Sequence, residues 1–110
     1  MSGDEVYLRH ILEAIEAVEE DLRGTTRKSL EEDRKTRSAV IRELEIIGEA
    51  ANSLSSGFRD AHPGVPVQEM VGMRNKLIHE YFGVDLDVVW KTVKEDLPAL
   101  KRAIQKALVV

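Results

Sequence analysis

The sequence predicts an all-α protein, an antiparallel bundle of four main helices, and three observations carry that reading. Apolar residues recur at steps of three and four through most of the chain, the period of a helix with one buried stripe. No stretch alternates apolar and polar residues as a half-buried strand would. Clusters of Gly, Ser and Pro fall between the stripes, where a bundle needs its turns.

The first helix is expected over about 5–22, with Tyr7, Ile11, Ala14, Ile15, Val18 and Leu22 on one face and Gly24 as its stop. Ser29 stands three residues before Glu32, a capping-box spacing that predicts the start of the second helix. That helix runs over about 30–55 on Val40, Leu44, Ile47, Ala51 and Leu54, with 34–36 as the place where it can be interrupted; Ser55, Ser56 and Gly57 end it. The stretch "HPGVP", with two prolines and a glycine, cannot sustain a helix and reads as the clear connector. A third helix follows on Val67, Met70, Val71, Leu77, Ile78 and Tyr81, with Gly83 as terminator and Asp85 as cap of the next. Leu86, Val89, Val93, Leu97, Leu100, Ile104 and Leu108 form the fourth stripe, with Pro98 as a kink or break.

At 110 residues the chain fits one domain, residues 1–110, long enough for one hydrophobic core. The 43% hydrophobic and 33% charged content is that of a folded soluble protein, and no apolar run approaches the roughly 20 residues of a membrane span. The absence of cysteine removes disulfides, thiol nucleophiles and thiolate metal sites. His10, His62 and His79 are far apart in sequence and none forms a paired ligand motif, so no metal cofactor is expected. The N-terminus "MSGDEVYLRH" lacks the layout of a signal peptide, which makes the cytoplasm the expected compartment.

The net charge of −4 argues against a protein that coats nucleic acid nonspecifically. Its distribution is uneven. Residues 1–22 carry seven acids against Arg9 alone, whereas residues 23–42 carry seven bases against Glu31, Glu32 and Asp33. Two helices whose exposed faces attract each other are the plain expectation, and a local basic patch for RNA is the other reading.

The chemistry of the chain concentrates in "RNKLIHEY", residues 74–81. At about 100° per residue, Arg74 and Tyr81 are nearly in register and Asn75 shares a face with His79, but Arg74 and His79 stand about 140° apart. One straight helix cannot point both at a single small atom. They form one site only if the helix ends or distorts before His79, or if a second copy supplies the missing half across a symmetric interface, and a homodimer is therefore expected. Arg and His together suit phosphoryl transfer without a metal. The guanidinium holds a phosphate by two parallel hydrogen bonds and stabilises developing charge, while a histidine, with a pKa of about 6.5, exchanges a proton with a ribose 2′-hydroxyl. Asn75 could orient the imidazole or the phosphate, and Tyr81 could stack on a base or hydrogen-bond to phosphate. By spacing alone, a surface Arg and a partly buried His on an ordinary helix are the commoner explanation of the motif.

The same residues carry a resemblance. "GMRNKLIHEYFGVDLDVVWKTVKEDLPALK" resembles the C-terminal half of HepT-like proteins, a branch of the HEPN superfamily; "AVIRELEIIGEAANSLS" is similar to their second helix and "YLRHILEAIEAVEE" to their first. In that family the defining order is Arg, four residues, His, one residue, Tyr, which Arg74, His79 and Tyr81 match. The resemblance implies a dimeric helical bundle in which Arg74 and His79 of both chains line a cleft and cut RNA without a metal. It implies further a toxin–antitoxin pair, in which a minimal nucleotidyltransferase antitoxin transfers AMP to Tyr81. Many relatives have Trp after the proline of the loop where this chain has Val67, a departure that bears on how the loop packs. Glu49, within the Gly-Glu-Ala run, is a supporting candidate that could hold Arg74 or His79, or simply lie exposed. Gly48 permits close helix packing, and Trp90 belongs to the core or to a dimer interface. His10 and His62 read as surface residues. The rival function is a non-catalytic nucleotide-binding or scaffold subunit of a nucleotidyltransferase complex; a purely structural dimerisation module is the third.

Overall fold

The computed structural model describes residues 3–79 and 85–108, with the backbone alone at Ile78 and His79. Every regular element among them is helical: α1 (Gly3–Asp21), α2 (Arg27–Glu32), α3 (Arg34–Asn52), α4 (Ser56–Ala61), α5 (Val67–His79), α6 (Leu86–Lys91), a π-helical turn (Thr92–Asp96) and α7 (Leu97–Leu108). The all-α class stands, but the elements are more finely divided than four helices. None of the described helices is long and apolar enough to cross a membrane.

Helix α1 begins with Asp4 and Glu5 in its first turn, where carboxylates meet the positive end of the helix dipole. Leu8, Ile11, Ala14, Ile15 and Val18 form its buried stripe. The chain leaves it through a turn in which Gly24 adopts φ 75°, a conformation that other residues rarely tolerate, so the expected stop is in place.

Helix α2 starts one turn earlier than the Ser29–Glu32 spacing suggests. Thr26 is the cap: its hydroxyl accepts from the Ser29 amide at 3.0 Å, and the Ser29 hydroxyl accepts from the Thr26 amide at 2.9 Å. Ser29 thus takes the returning position that Glu or Gln fills in the usual box. The interruption expected at 34–36 occurs at Asp33, because that side chain caps α3. Its carboxylate accepts from the Thr36 amide at 3.1 Å and the Thr36 hydroxyl at 2.7 Å. Those bonds, the hydroxyl's first, hold the Asp33 carboxyl below the usual range.

Helix α3 is central, with α1 and α5 packed against it, and α7 closes on α1. Ile11, Ile15, Val18, Leu30, Val40, Val89 and Ile104 are the largest of the fully buried side chains, so the core joins α1, α2, α3, α6 and α7. Each such side chain contributes roughly 1.5–3 kcal/mol by leaving water.

The Ser55–Ser56–Gly57 run reads in sequence as a break and nothing more, yet α4 begins there. Ser55 is its cap, accepting from the Phe58 amide, and the Asp4 carboxylate in turn accepts the Ser55 amide at 2.8 Å and hydroxyl at 2.7 Å. Arg59 in α4 reaches back to the open end of α3, donating to the carbonyls of Asn52 at 3.1 Å and Leu54 at 3.2 Å. The connector at 62–66 then leads into α5.

Asp85 caps α6 as expected, accepting from the amides of Asp87 and Val88. The fourth helix is not simply kinked at Pro98. It widens into the π turn, with the Leu97 amide bonded to the Thr92 carbonyl, immediately before the proline. Pro98 has no N–H to offer the Lys94 carbonyl and its ring would crowd it, and a wider turn relieves that conflict. The Gly83 terminator lies outside the described residues.

The charge expectation is corrected. Among the described residues, the ion pairs between separate elements join Glu19 of α1 to Lys101 of α7 at 2.9 Å and Arg27 of α2 to Asp87 of α6 at 2.7 Å. Within the acidic stretch, Glu19 therefore reaches α7 and Glu20 the nearby Arg23, and no ion pair among the described residues joins α1 to α3.

Candidate active site

Arg74 is positioned by contact between α3 and α5. A side-chain carbon at Gly48 would stand 2.1 Å from Arg74 Cβ, 2.9 Å from its Cγ and 2.9 Å from the Met70 carbonyl oxygen. The two helices touch because position 48 has no side chain, and the stem of Arg74 lies in the space this leaves. The sequence marks Gly48 as a close-packing residue, but not that its neighbour is the candidate catalytic arginine. A glycine inside the buried stripe of an amphipathic helix is the available signal.

The guanidinium is dry at one end and open at the other. Nε is buried with no hydrogen-bond partner among the described residues. Nη1 donates to Asn75 Oδ1 at 3.0 Å. Asn75 thus braces the arginine itself, an arrangement not among those expected for it, and Nη2 with the second Nη1 proton remains to meet an anion. Lys76 is exposed beside them and Leu77 is buried below.

Helix α5 continues in α conformation through His79. Positions 74 and 79 are therefore about 140° apart around an unbroken axis. Of the two ways the motif could form one site, distortion of the helix before His79 is not what the backbone adopts. Tyr81 lies outside the described residues.

Glu49 is exposed and makes no ion pair with Arg74 among the described residues. Its carbonyl accepts from the Ser53 hydroxyl. His10 is exposed, edge-on to the half-buried Tyr7 ring, while His62 is half-buried and stacked on Phe58 with 4.5 Å between ring centres. Trp90 is half-buried against the core with the Lys94 ammonium 4.7 Å above its ring. No group of three His, Asp or Glu side chains stands together as a metal site among the described residues. A mainly apolar cavity of about 330 Å³ opens between α3, the connector, α5 and α7, walled by Met70, Met73, Ile47 and Leu100 among others. It lies one turn before the motif, and Arg74 is not part of its wall.

Comparison with known proteins places the chain in a family. The family described as Ribonuclease HepT-like matches residues 11–107. The chain belongs to the HepT-like ribonuclease family. This HepT-like chain is 53% identical over 100 residues to "Probable ribonuclease HepT" of Thermococcus cleftensis, covering 91% of both proteins. It is 41% identical over 102 residues to a "Putative RNase" of Caldanaerobacter subterraneus, covering 93% of this chain and 91% of that one. A "Putative RNase" of Methanocaldococcus jannaschii is 44% identical over 99 residues, 90% of this chain and 91% of its own. No solved structure matches the HepT-like chain.

Proposed function

We propose that this HepT-like chain is a metal-independent endoribonuclease that acts as a homodimer, with Arg74 and His79 as its catalytic residues and Asn75 in support. The observation that carries the reading is the α5 motif itself: Arg74 seated and braced in a chain matched to a ribonuclease family over 11–107, with His79 five positions on along the same helix.

RNA brings its own nucleophile. His79 takes the proton of the ribose 2′-hydroxyl, whose oxygen attacks the adjacent phosphorus; the phosphorus–5′-oxygen bond breaks, and the leaving oxygen gains a proton. The products are a 2′,3′-cyclic phosphate and a 5′-hydroxyl. Arg74 holds the phosphate and stabilises charge on its non-bridging oxygens. Because α5 is regular through His79, the half-site missing beside Arg74 comes from His79 of a second copy across a two-fold axis. Glu49, exposed and not ion-paired with Arg74 among the described residues, supports the cleft only if it meets the second copy.

Incubated with a single-stranded RNA in excess chelator, the purified protein should cleave it and leave cyclic-phosphate ends. A strict requirement for added magnesium, or ends bearing a 5′-phosphate, would overturn the mechanism. The acidic net charge favours the rival reading, a scaffold subunit of a nucleotidyltransferase complex. Absence of cleavage by a dimeric protein would support that rival.

The regulatory part of the proposal is a toxin–antitoxin pair in which a minimal nucleotidyltransferase moves AMP from ATP to the Tyr81 phenol, releasing pyrophosphate. The new phosphodiester carries a negative charge that competes with RNA for Arg74, and the attached base occupies space a substrate nucleotide needs. With the cognate transferase and ATP, mass spectrometry should find about 329 Da added at Tyr81, the mass of AMP less water on a phenol oxygen. Tyr81→Phe should escape both modification and inhibition. Silencing of Tyr81→Phe as complete as that of the wild type would refute this regulation.

A further inference from the structure

We infer that Gly48 is the positioning residue for Arg74: its missing side chain is the seat that aims the guanidinium end-on at the scissile phosphate. The inference rests on the proposed role of Arg74 and adds a residue on another helix to it.

Three facts meet at this point. A β-carbon at position 48 would lie 2.1 Å from Arg74 Cβ and 2.9 Å from Cγ. Those atoms are the root of the side chain, not its flexible tip, so a methyl there cannot be accommodated by swinging the guanidinium aside. Helix α5 itself would have to move by about 1 Å or more to restore ordinary contact, and the Met70 carbonyl, 2.9 Å from the same point, moves with it.

The second fact is the dry Nε, buried without a partner among the described residues. The third is the bond from Nη1 to Asn75 Oδ1 on the open side. Seat and brace act at opposite ends of the guanidinium. With Nε shielded, the side-on grip through Nε and Nη2 is closed to a phosphate, and only the end-on approach through Nη2 and the free Nη1 proton is left. Gly48 therefore selects which edge of the arginine the substrate meets. An unpaired buried N–H is costly, which makes this an arrangement held by the packing around it rather than one the side chain would adopt alone.

The test is Gly48→Ala, read in two ways. In nitrogen-15 NMR of the wild type, the Nε–H of Arg74, assigned by its disappearance in Arg74→Lys, should exchange slowly with water. In Gly48→Ala that resonance should shift and lose protection while amides of α1 and α7 keep their positions. The rate constant kcat should fall about 10²-fold with KM changed far less, the loss that a 1 Å misplacement of a catalytic group produces. Adding Gly48→Ala to Arg74→Gly, which has no Cβ for the new methyl to meet, should lower the residual rate no further. If Gly48→Ala does not fold, the pair Gly48→Ala with Arg74→Gly, which removes both Cβ and Cγ, should regain the helical fold. An unchanged Nε resonance with unchanged kcat, or failure of that pair to fold, overturns the inference. A protected Nε that is lost in Gly48→Ala, in a protein that cuts no RNA at all, would leave the seat standing and remove the ribonuclease reading instead.

Discussion

His79→Ala should lose RNA cleavage by about 10² or more, and Arg74→Ala by about 10²–10³, each in a protein that stays folded and dimeric. The first figure is the usual worth of a positioned acid or base, the second that of one group stabilising transition-state charge. Arg74 does not build the core, since it is only half-buried. The more telling measurement uses both variants together. If each cleft takes Arg74 from one protomer and His79 from the other, a mixed dimer holds one doubly mutated cleft and one intact cleft. Equal mixing after subunit exchange should restore about a quarter of wild-type activity, since half the dimers are mixed and each has one working site of two. Light scattering of the wild type should give about twice the 12.4 kDa chain mass. A monomer, or two dead variants that stay dead when exchange is shown to occur, would place both residues in one chain and dismiss the composite cleft.

Ile104→Ala should cost about 2–5 kcal/mol of folding stability, the range for emptying a packed aliphatic site. Ile104 is fully buried in the middle of α7, the helix that closes on α1. A domain of this size has about 5–15 kcal/mol in total, so one truncation removes a large fraction of it. Trp90, the single tryptophan and half-buried against the core, supplies the fluorescence signal for urea titration. The midpoint should fall while the slope against urea stays the same, marking lost stability rather than a changed unfolded state. Val6→Ala is the control: Val6 is 51% exposed and its truncation should change stability by less than about 0.5 kcal/mol. Equal effects at the two positions would mean that α7 is not docked as described.

The elements that periodicity decides are legible in the order of residues alone. Ile11, Ile15 and Val18, then Val40, Leu44 and Ile47, are buried as their spacing requires. Gly24 and Asp85 act as stop and cap because each local conformation needs that residue type. What spacing does not carry is context. Ser55, Ser56 and Gly57 look like breakers, but whether a serine ends one helix or caps another depends on the acceptors nearby, and here Asp4 and Arg59 secure the second outcome. At the candidate site the order of Arg74, Asn75 and His79 is visible in the chain, whereas the meeting of Gly48 with Arg74 is not, because the two are brought together only when α3 and α5 pack. The partner of Asn75 does not follow from helical faces either, since its bond runs to the adjacent residue.

The π turn at Thr92–Asp96 gives the C-terminal rod one residue more than an α-helix needs over the same stretch. Up to Lys91 the rod follows the ordinary helical count, and from Leu97 it resumes that count with one register offset already included. Deleting a single residue from the turn would let the hydrogen bonds close into a regular helix while α7 kept nearly its present face, because five residues of π-helix and four of α-helix sweep almost the same angle. Leu100 and Ile104 would still face α1 and Lys101 would still reach Glu19, and the cost would be the crowding at Pro98 that the wide turn relieves. A deletion inside α7 itself has no such slack and turns everything after it by about 100°. A lineage carrying this fold can therefore lose a residue near Lys94 and Glu95 more easily than one from the regular turns of α7.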